Sequence, residues 1–315
     1  TMNRPSLTIT YIVKAFPCNY DEGYGNVSVA KKVHRGSGET YLFTSRQALR
    51  YSLVNWLVEH KIWKYADLTV QSEEKSEDTA EAKTTETAKK TVIQYNSEQL
   101  KRDLPEEADL FGYMITIGKQ RAITRAAIAK LTHLISLEPW YGDQELLTNK
   151  NFADRLKRNP DMANIETGYN YYKYTLSVDL DKVGEDDNFN HHLPKDEKIR
   201  RVCDLIEATK FLFRDIRGRR EDLKPLFVIG GVFPIKSPFF HNSVNIEFKG
   251  SKPYITWEGI KQVLETMINE KNKVNDFTFK GIQKGEFGDD FGINESPFEA
   301  LDKIKEEIVK AYNEE

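Results

Sequence analysis

Residues 44–57, TSRQALRYSLVNWL, set the reading of this chain. Thr44 followed three positions later by Gln47 has the form of a capping box, a sign of a helix start. Leu49, Leu53, Trp56 and Leu57 then recur at helical spacing, which predicts a helix with one face packed inward. Arg46 and Arg50 lie one turn apart at its beginning. Unpaired N–H donors and the helix dipole both favour negative charge there, so the stretch reads as a phosphate cradle. A plainer reading fits the same residues: Thr44 and Gln47 cap each other and the arginines meet water.

Before this helix, Leu7, Ile9, Tyr11 and Val13 alternate with smaller residues, which predicts a strand with one strongly buried face. A long loop, residues 18–39, joins the two and carries Lys31, Lys32 and Arg35. Loops of this length are uncommon unless functional. After the helix the composition changes. From Gln71 to Thr91 there is no aromatic residue and no Leu, Ile or Val, too little apolar surface to offset the entropy of ordering, so a disordered or solvated insertion is expected. Order returns at Ala108 with ADLFGYMITIG, where Gly112 predicts close packing. Residues 119–136 fit neither helical nor strand periodicity cleanly. Residues 137–167 read as an irregular, Pro- and aromatic-containing excursion. YYKYTLSVDL, residues 171–180, is a strand with Tyr172, Tyr174, Leu176 and Val178 on one side. Pro194 opens a second amphipathic helix whose last turns, with Arg214, Arg217, Arg219 and Arg220, are basic. Residues 226–234, LFVIGGVFP, are a buried strand broken by Gly230 and Gly231, and a charged helix closes the sequence.

Strand, helix, two strands, helix, strand, with large insertions, is the split βαβ order of ferredoxin-like folds, α+β in class. In RNA-recognition domains the open sheet of that fold serves as a platform.

The chain has 315 residues and a formal net charge of −3. Distribution matters more than the sum. No acidic residue lies between Asp109 and Glu138, a stretch carrying Lys119, Arg121, Arg125 and Lys130. Basic residues also prevail from Lys14 to Arg50 and from Arg200 to Arg220, whereas acid is concentrated from Glu73 to Asp109. A basic face on a nominally acidic protein follows. Two cysteines, Cys18 and Cys203, give neither a disulfide framework nor metal-ligand spacing. No run approaches a membrane span and no signal-peptide pattern is present, so a cytoplasmic chain is expected.

Three blocks in order resemble one family. A strand, a Gly/Asn loop and then Ser45, Gln47, Leu49 and Arg50 look like the N-terminus of the Cas-seven superfamily, the backbone subunits of CRISPR surveillance complexes. Asp109-Leu110-Phe111-Gly112-Tyr113-Met114 is similar to that family's second block, and residues 172–184, YKYTLSVDLDKVG, to its third. With residues 123–139 the pattern is most similar to the DevR-type subunit of type I-B Cascade. The resemblance implies an RRM-like palm (residues 1–60, 108–136 and 168–235), a finger insertion (61–107), a thumb (137–167) and a C-terminal extension (236–315). It implies a non-catalytic subunit that polymerises along crRNA and presents the guide to target DNA. Its partners would be further copies of itself and other Cascade subunits, a small foot or cap subunit and a large subunit, with no cofactor, metal or membrane. Carried over by position, Ser45, Gln47 and Arg50 become guide-backbone contacts, and Lys31, Lys32 and Arg35 accompany them. Charge and placement add Arg46, Lys119, Arg121 and Arg125.

Two other classes compete. Asp21, in the loop after the first strand, could act with a divalent metal on a phosphodiester. An ordinary RRM-like adaptor would instead stack bases on sheet-face aromatics such as Tyr172 and Tyr174.

Overall fold

A computed structural model describes residues 2–72, 91–117 and 122–314. Its centre is an eight-stranded antiparallel sheet built from β1 (Ser6–Ala15), β2 (Lys32–His34), β3 (Thr40–Thr44), β4 (Ala129–Leu131), β5 (Leu134–Ser136), β6 (Asn170–Asp179), β7 (Phe227–Phe233) and β8 (Thr278–Ile282). The spatial order is β8-β7-β1-β6-β5-β3-β2, with β4 beside β5 along the same edge of β6. β1 lies between β6 and β7, pairing Leu7 with Val178 and with Val232. Three helices, α1 (Arg46–Glu59), α2 (Lys195–Lys210) and α3 (Pro297–Asn313), enclose one core with Leu7, Ile9, Tyr11, Val13, Tyr172, Tyr174, Leu176 and Val178.

The period-2 reading of β1 and β6 therefore places the correct residues under the helices. It also removes the stacking-adaptor alternative in the form expected, because Tyr172 and Tyr174 are buried and Tyr174 stacks on Tyr11 at 4.5 Å between ring centroids. The other face of the sheet is closed as well. Phe227, Ile229 and Phe233 pack there against Phe240, Val244, Ile255 and Ile260. Between them runs a polar strip: Thr10 Oγ1 lies 2.8 Å from Thr175 Oγ1, which is 2.8 Å from His241 Nδ1. Lys173 Nζ donates to Val244 O at 2.9 Å. The expected open platform is covered by residues 234–277.

Several local expectations change. β7 runs unbroken through Gly230 and Gly231, where a Cβ would lie 2.2 Å from Thr8 O and 1.9 Å from Phe277 O. Glycine is required by the approach of neighbouring backbone. Gly112 has φ +75°, and a Cβ there would meet Arg125 O at 2.4 Å. The stretch after it forms short strands, Ile123–Arg125, β4 and β5, too brief for any period to show. Residues 137–167 hold a hairpin, Gln144–Thr148 with Met162–Glu166, around a helix Lys150–Leu156. Its first strand is exposed on both sides, so it carries no alternation. Gln71 and Thr91 belong to a second hairpin, Leu68–Ser72 with Thr91–Tyr95; the expected disorder between them falls on residues 73–90, outside the described residues.

Helix α2 ends at Lys210, so the basic turns assigned to it are a separate hairpin, Phe213–Ile216 with Arg219–Asp222. Arg217 (φ +51°) and Gly218 (φ +76°) turn the chain. Two consecutive left-handed residues are the geometry of a tight hairpin turn, whose twist matches that of its strands.

Candidate nucleic-acid interface

The start of α1 is built one residue later than the sequence suggests. Thr44 is the last residue of β3, pairs with Leu134 and is buried, so it belongs to the strand rather than to the helix cap. Ser45 is the N-cap, and its Oγ accepts from Ala48 N at 3.2 Å. Because position N3 is Ala48, the Thr44–Gln47 capping box does not form; the Gln47 side chain is exposed. Ser45 N donates to Asn19 Oδ1 at 3.0 Å, fastening the helix mouth to the loop after β1. Arg46 N donates to His133 Nδ1 at 2.9 Å, which requires the His133 proton on Nε2. Backbone donors of the first turn are thus partly used within the protein.

The cations divide into two groups. Arg46 makes no side-chain hydrogen bond or ion pair among the described residues, and burial together with Arg50 lowers its pKa, the signature of a positive charge without a counter-ion. Arg35 lies over the Tyr41 ring at 5.4 Å and is likewise without a carboxylate. Lys31 is ion-paired with Asp21, and Lys32 Nζ lies 2.5 Å from Glu166 Oε2 and 4.6 Å from the Trp140 ring centroid. Arg50 turns inward: it donates to Tyr95 OH at 2.8 Å and Glu107 Oε1 at 3.0 Å, and covers the Phe111 ring. The Arg125 side chain is 8% exposed and bonded to Asp109 Oδ1 at 2.6 Å. The guanidinium groups of Arg50 and Arg125, both expected on a guide, are thus engaged by partners within the protein. Lys119 and Arg121 lie outside the described residues.

Asp109 organises the second group. Wholly buried, it accepts from Arg125, from Arg201 Nη1 at 3.0 Å and from Gly184 N at 3.0 Å. One carboxylate ties the helix Glu106–Phe111 to α2 and to the turn after β6. Asp21, the candidate metal ligand, is spent on Lys31; among the described residues no group of three His, Cys, Asp or Glu could hold a metal ion.

Residues 16–30 also carry what the sequence reading missed. Arg214 donates to Ser52 Oγ of α1 at 3.1 Å and also to Cys18 O at 2.5 Å, with burial lowering its pKa. Arg217 donates to Ser28 Oγ at 3.0 Å and covers the Tyr20 ring at 4.3 Å. Arg219 reaches Pro17 O at 2.8 Å and pairs with Glu221. The basic hairpin and the mouth of α1 thus grip the same short segment, Pro17–Tyr20, from two sides. Gly218 is the one turn residue that marks the hairpin in the sequence; the run RRED after it carries no strand signal.

A family model for the CRISPR-associated negative auto-regulator DevR/Csa2 matches residues 7–254. The chain belongs to this family. No curated protein matches it. Solved structures similar to this DevR/Csa2-family chain include a chain of a "CRISPR RNA-guided surveillance complex, pre-nicking", with TM-score 0.65 and 12% identity over 97% of this chain and 100% of that one. Another, from a "CRISPR RNA-guided surveillance complex", gives TM-score 0.52 and 13% identity over 98% and 99%. At such identities the likeness is one of fold. No helix among the described residues is long and apolar enough to cross a membrane.

Proposed function

We propose that this DevR/Csa2-family protein is a non-catalytic backbone subunit of a crRNA-guided, Cascade-type surveillance complex. In this reading β1, α1, β5, β6, α2 and β7 form an RRM-like palm, with residues 61–107 as finger, 137–167 as thumb and 236–315 as extension. Copies polymerise along the guide in the cytoplasm, hold its phosphates and leave base edges free for target DNA. Companion Cascade subunits close the ends.

One observation carries the proposal: among the described residues Arg46, at the capped mouth of α1, has no counter-ion, and Arg217 of the basic hairpin flanks the same loop with only neutral partners. Phosphate is the ligand class that such cations and helix-start hydroxyls suit, and contacts of this kind position a strand without specifying sequence. The covered sheet supports the same reading, since no face is left on which bases could stack as in a sequence-reading RNA domain.

Filter binding of the full chain to unrelated RNA sequences of increasing length, with and without magnesium, tests it. Affinity is expected to depend on length and salt but hardly on sequence, with the RNA left intact. Strong sequence preference, or metal-dependent cleavage lost in Asp21→Ala, would overturn it.

A further inference from the structure

A cavity of about 490 Å³ opens between the root of the 144–166 hairpin and the strand Ile246–Lys249. Its chemistry is opposite to that of a phosphate site. The charged residues in its lining, Glu138, Asp143 and Glu247, are all acidic, and Trp140, Tyr141, Tyr169 and Phe248 supply aromatic surface. Tyr141 and Tyr169 are exposed, with Tyr169 stacked on Phe16 at 4.7 Å between centroids. Glu247 has an exposed partner in Lys249. Among the described residues Glu138 has no ion-pair partner: its Oε2 accepts from Tyr171 N at 3.1 Å, and burial raises its pKa against the hydrogen bonds from Tyr171 N and the Asn170 side chain and the more distant charge of Lys14. Lys14 itself is engaged by Glu286 at 3.2 Å and lies over the Tyr169 and Tyr171 rings.

Beside Glu138 the wall holds an unsatisfied acceptor. Asn170 is 7% exposed, and its side-chain carbonyl oxygen has no hydrogen-bond partner. A buried acceptor without a donor is uncommon and costs free energy. Aromatic faces, a desolvated carboxylate and an unsatisfied amide oxygen all call for a group that is planar, cationic and rich in N–H donors. We infer that this cavity receives the guanidinium of an arginine side chain presented by a partner polypeptide. Arginine suits it better than lysine, because a planar fork can stack on the rings while donating to Glu138 and Asn170 together. A nucleotide suits it less, since Glu138, Asp143 and Glu247 would repel its phosphate.

This inference stands apart from the RNA-binding proposal and is tested separately. N-acetyl-arginine methylamide is titrated into the full chain while the Trp140 indole N–H is followed by NMR, assigned with Trp140→Phe. Saturable shifts are expected, about tenfold weaker with the citrulline analogue and weaker also with the lysine analogue. Tyr141→Ala, at an exposed ring, and Glu138→Gln, which keeps an acceptor for Tyr171 N, should each weaken binding several-fold with the amide spectrum otherwise preserved. Equal affinity for citrulline, tighter binding of guanosine monophosphate than of the arginine probe, or no saturable shift in the folded protein would overturn the inference.

Discussion

Arg46 and Arg50 are equivalent in sequence, one turn apart on one helix, yet the fold gives them opposite tasks. Arg50 meets Tyr95, Glu107 and Phe111, all contributed by a chain excursion that returns from far along the sequence. Arg46, beside His133, finds no carboxylate among the described residues. Arg46→Ala should therefore weaken RNA binding uniformly across sequences, with the slope of log affinity against log salt reduced by about 0.7 and no loss of fold. An unchanged slope in filter binding would remove Arg46 from the interface. Arg50→Ala should do the reverse: a loss of about 1–3 kcal/mol in urea unfolding, with the salt slope of RNA binding intact. Asp109→Ala would strand the guanidinium groups of Arg125 and Arg201 without their carboxylate, and about 3–5 kcal/mol should be lost in the same measurement. None of these partnerships was legible in the sequence. Charge and helical spacing locate the arginines, but only tertiary return of distant carboxylates decides which are consumed.

At the scale of elements, strong periodicity proved a good guide and weak periodicity a poor one. β1 and β6 alternate over ten residues each, and the face that the alternation marks as buried lies under the helices, while the other face is buried as well. Strands of three residues, such as β4 and β5, are shorter than any pattern needs, and the hairpin at Gln144–Thr148 is exposed on both sides. The charge of the arginine-rich hairpin suits the end of a helix dipole, but the left-handed pair Arg217-Gly218 outweighs that argument. What covers the second face of the sheet could not be foreseen either, yet it has a measurable consequence. His241 is held against Thr175, and burial, then Lys173, pushes its pKa down to about 4. A histidine depressed in the folded state binds its proton more readily once unfolded. Stability is then full above about pH 6.5 and falls as the pH drops toward 4. His241→Gln should flatten that part of a stability-against-pH curve measured by urea unfolding; an unaltered slope would place the titration elsewhere.

Over the whole molecule, charge is segregated rather than balanced. Basic side chains gather around the mouth of α1 and the hairpin beyond α2, while acid dominates from Glu73 to Asp109 and lines the aromatic cavity. Such segregation lets a protein of net negative charge hold a polyanion on one side without binding it everywhere. The acidic run from residue 73 to 90 is the one part of it that can be removed cleanly. Ser72 and Thr91 are paired across the hairpin that brackets it, so the two ends are already neighbours and an Asn-Gly turn can rejoin them. Hairpin register on either side, including Leu68 opposite Tyr95, would be retained, and with it the Tyr95 hydroxyl that Arg50 uses. If the insert is accessory to the phosphate-holding surface, the shortened chain should bind guide RNA with nearly the same affinity and the same number of nucleotides per protein. Negative-stain images of complexes on a long guide should then show the same repeat with and without the insert. A large loss of affinity, or a changed repeat, would mean that the acidic segment meets a neighbouring copy's basic face and helps to set the spacing of the filament.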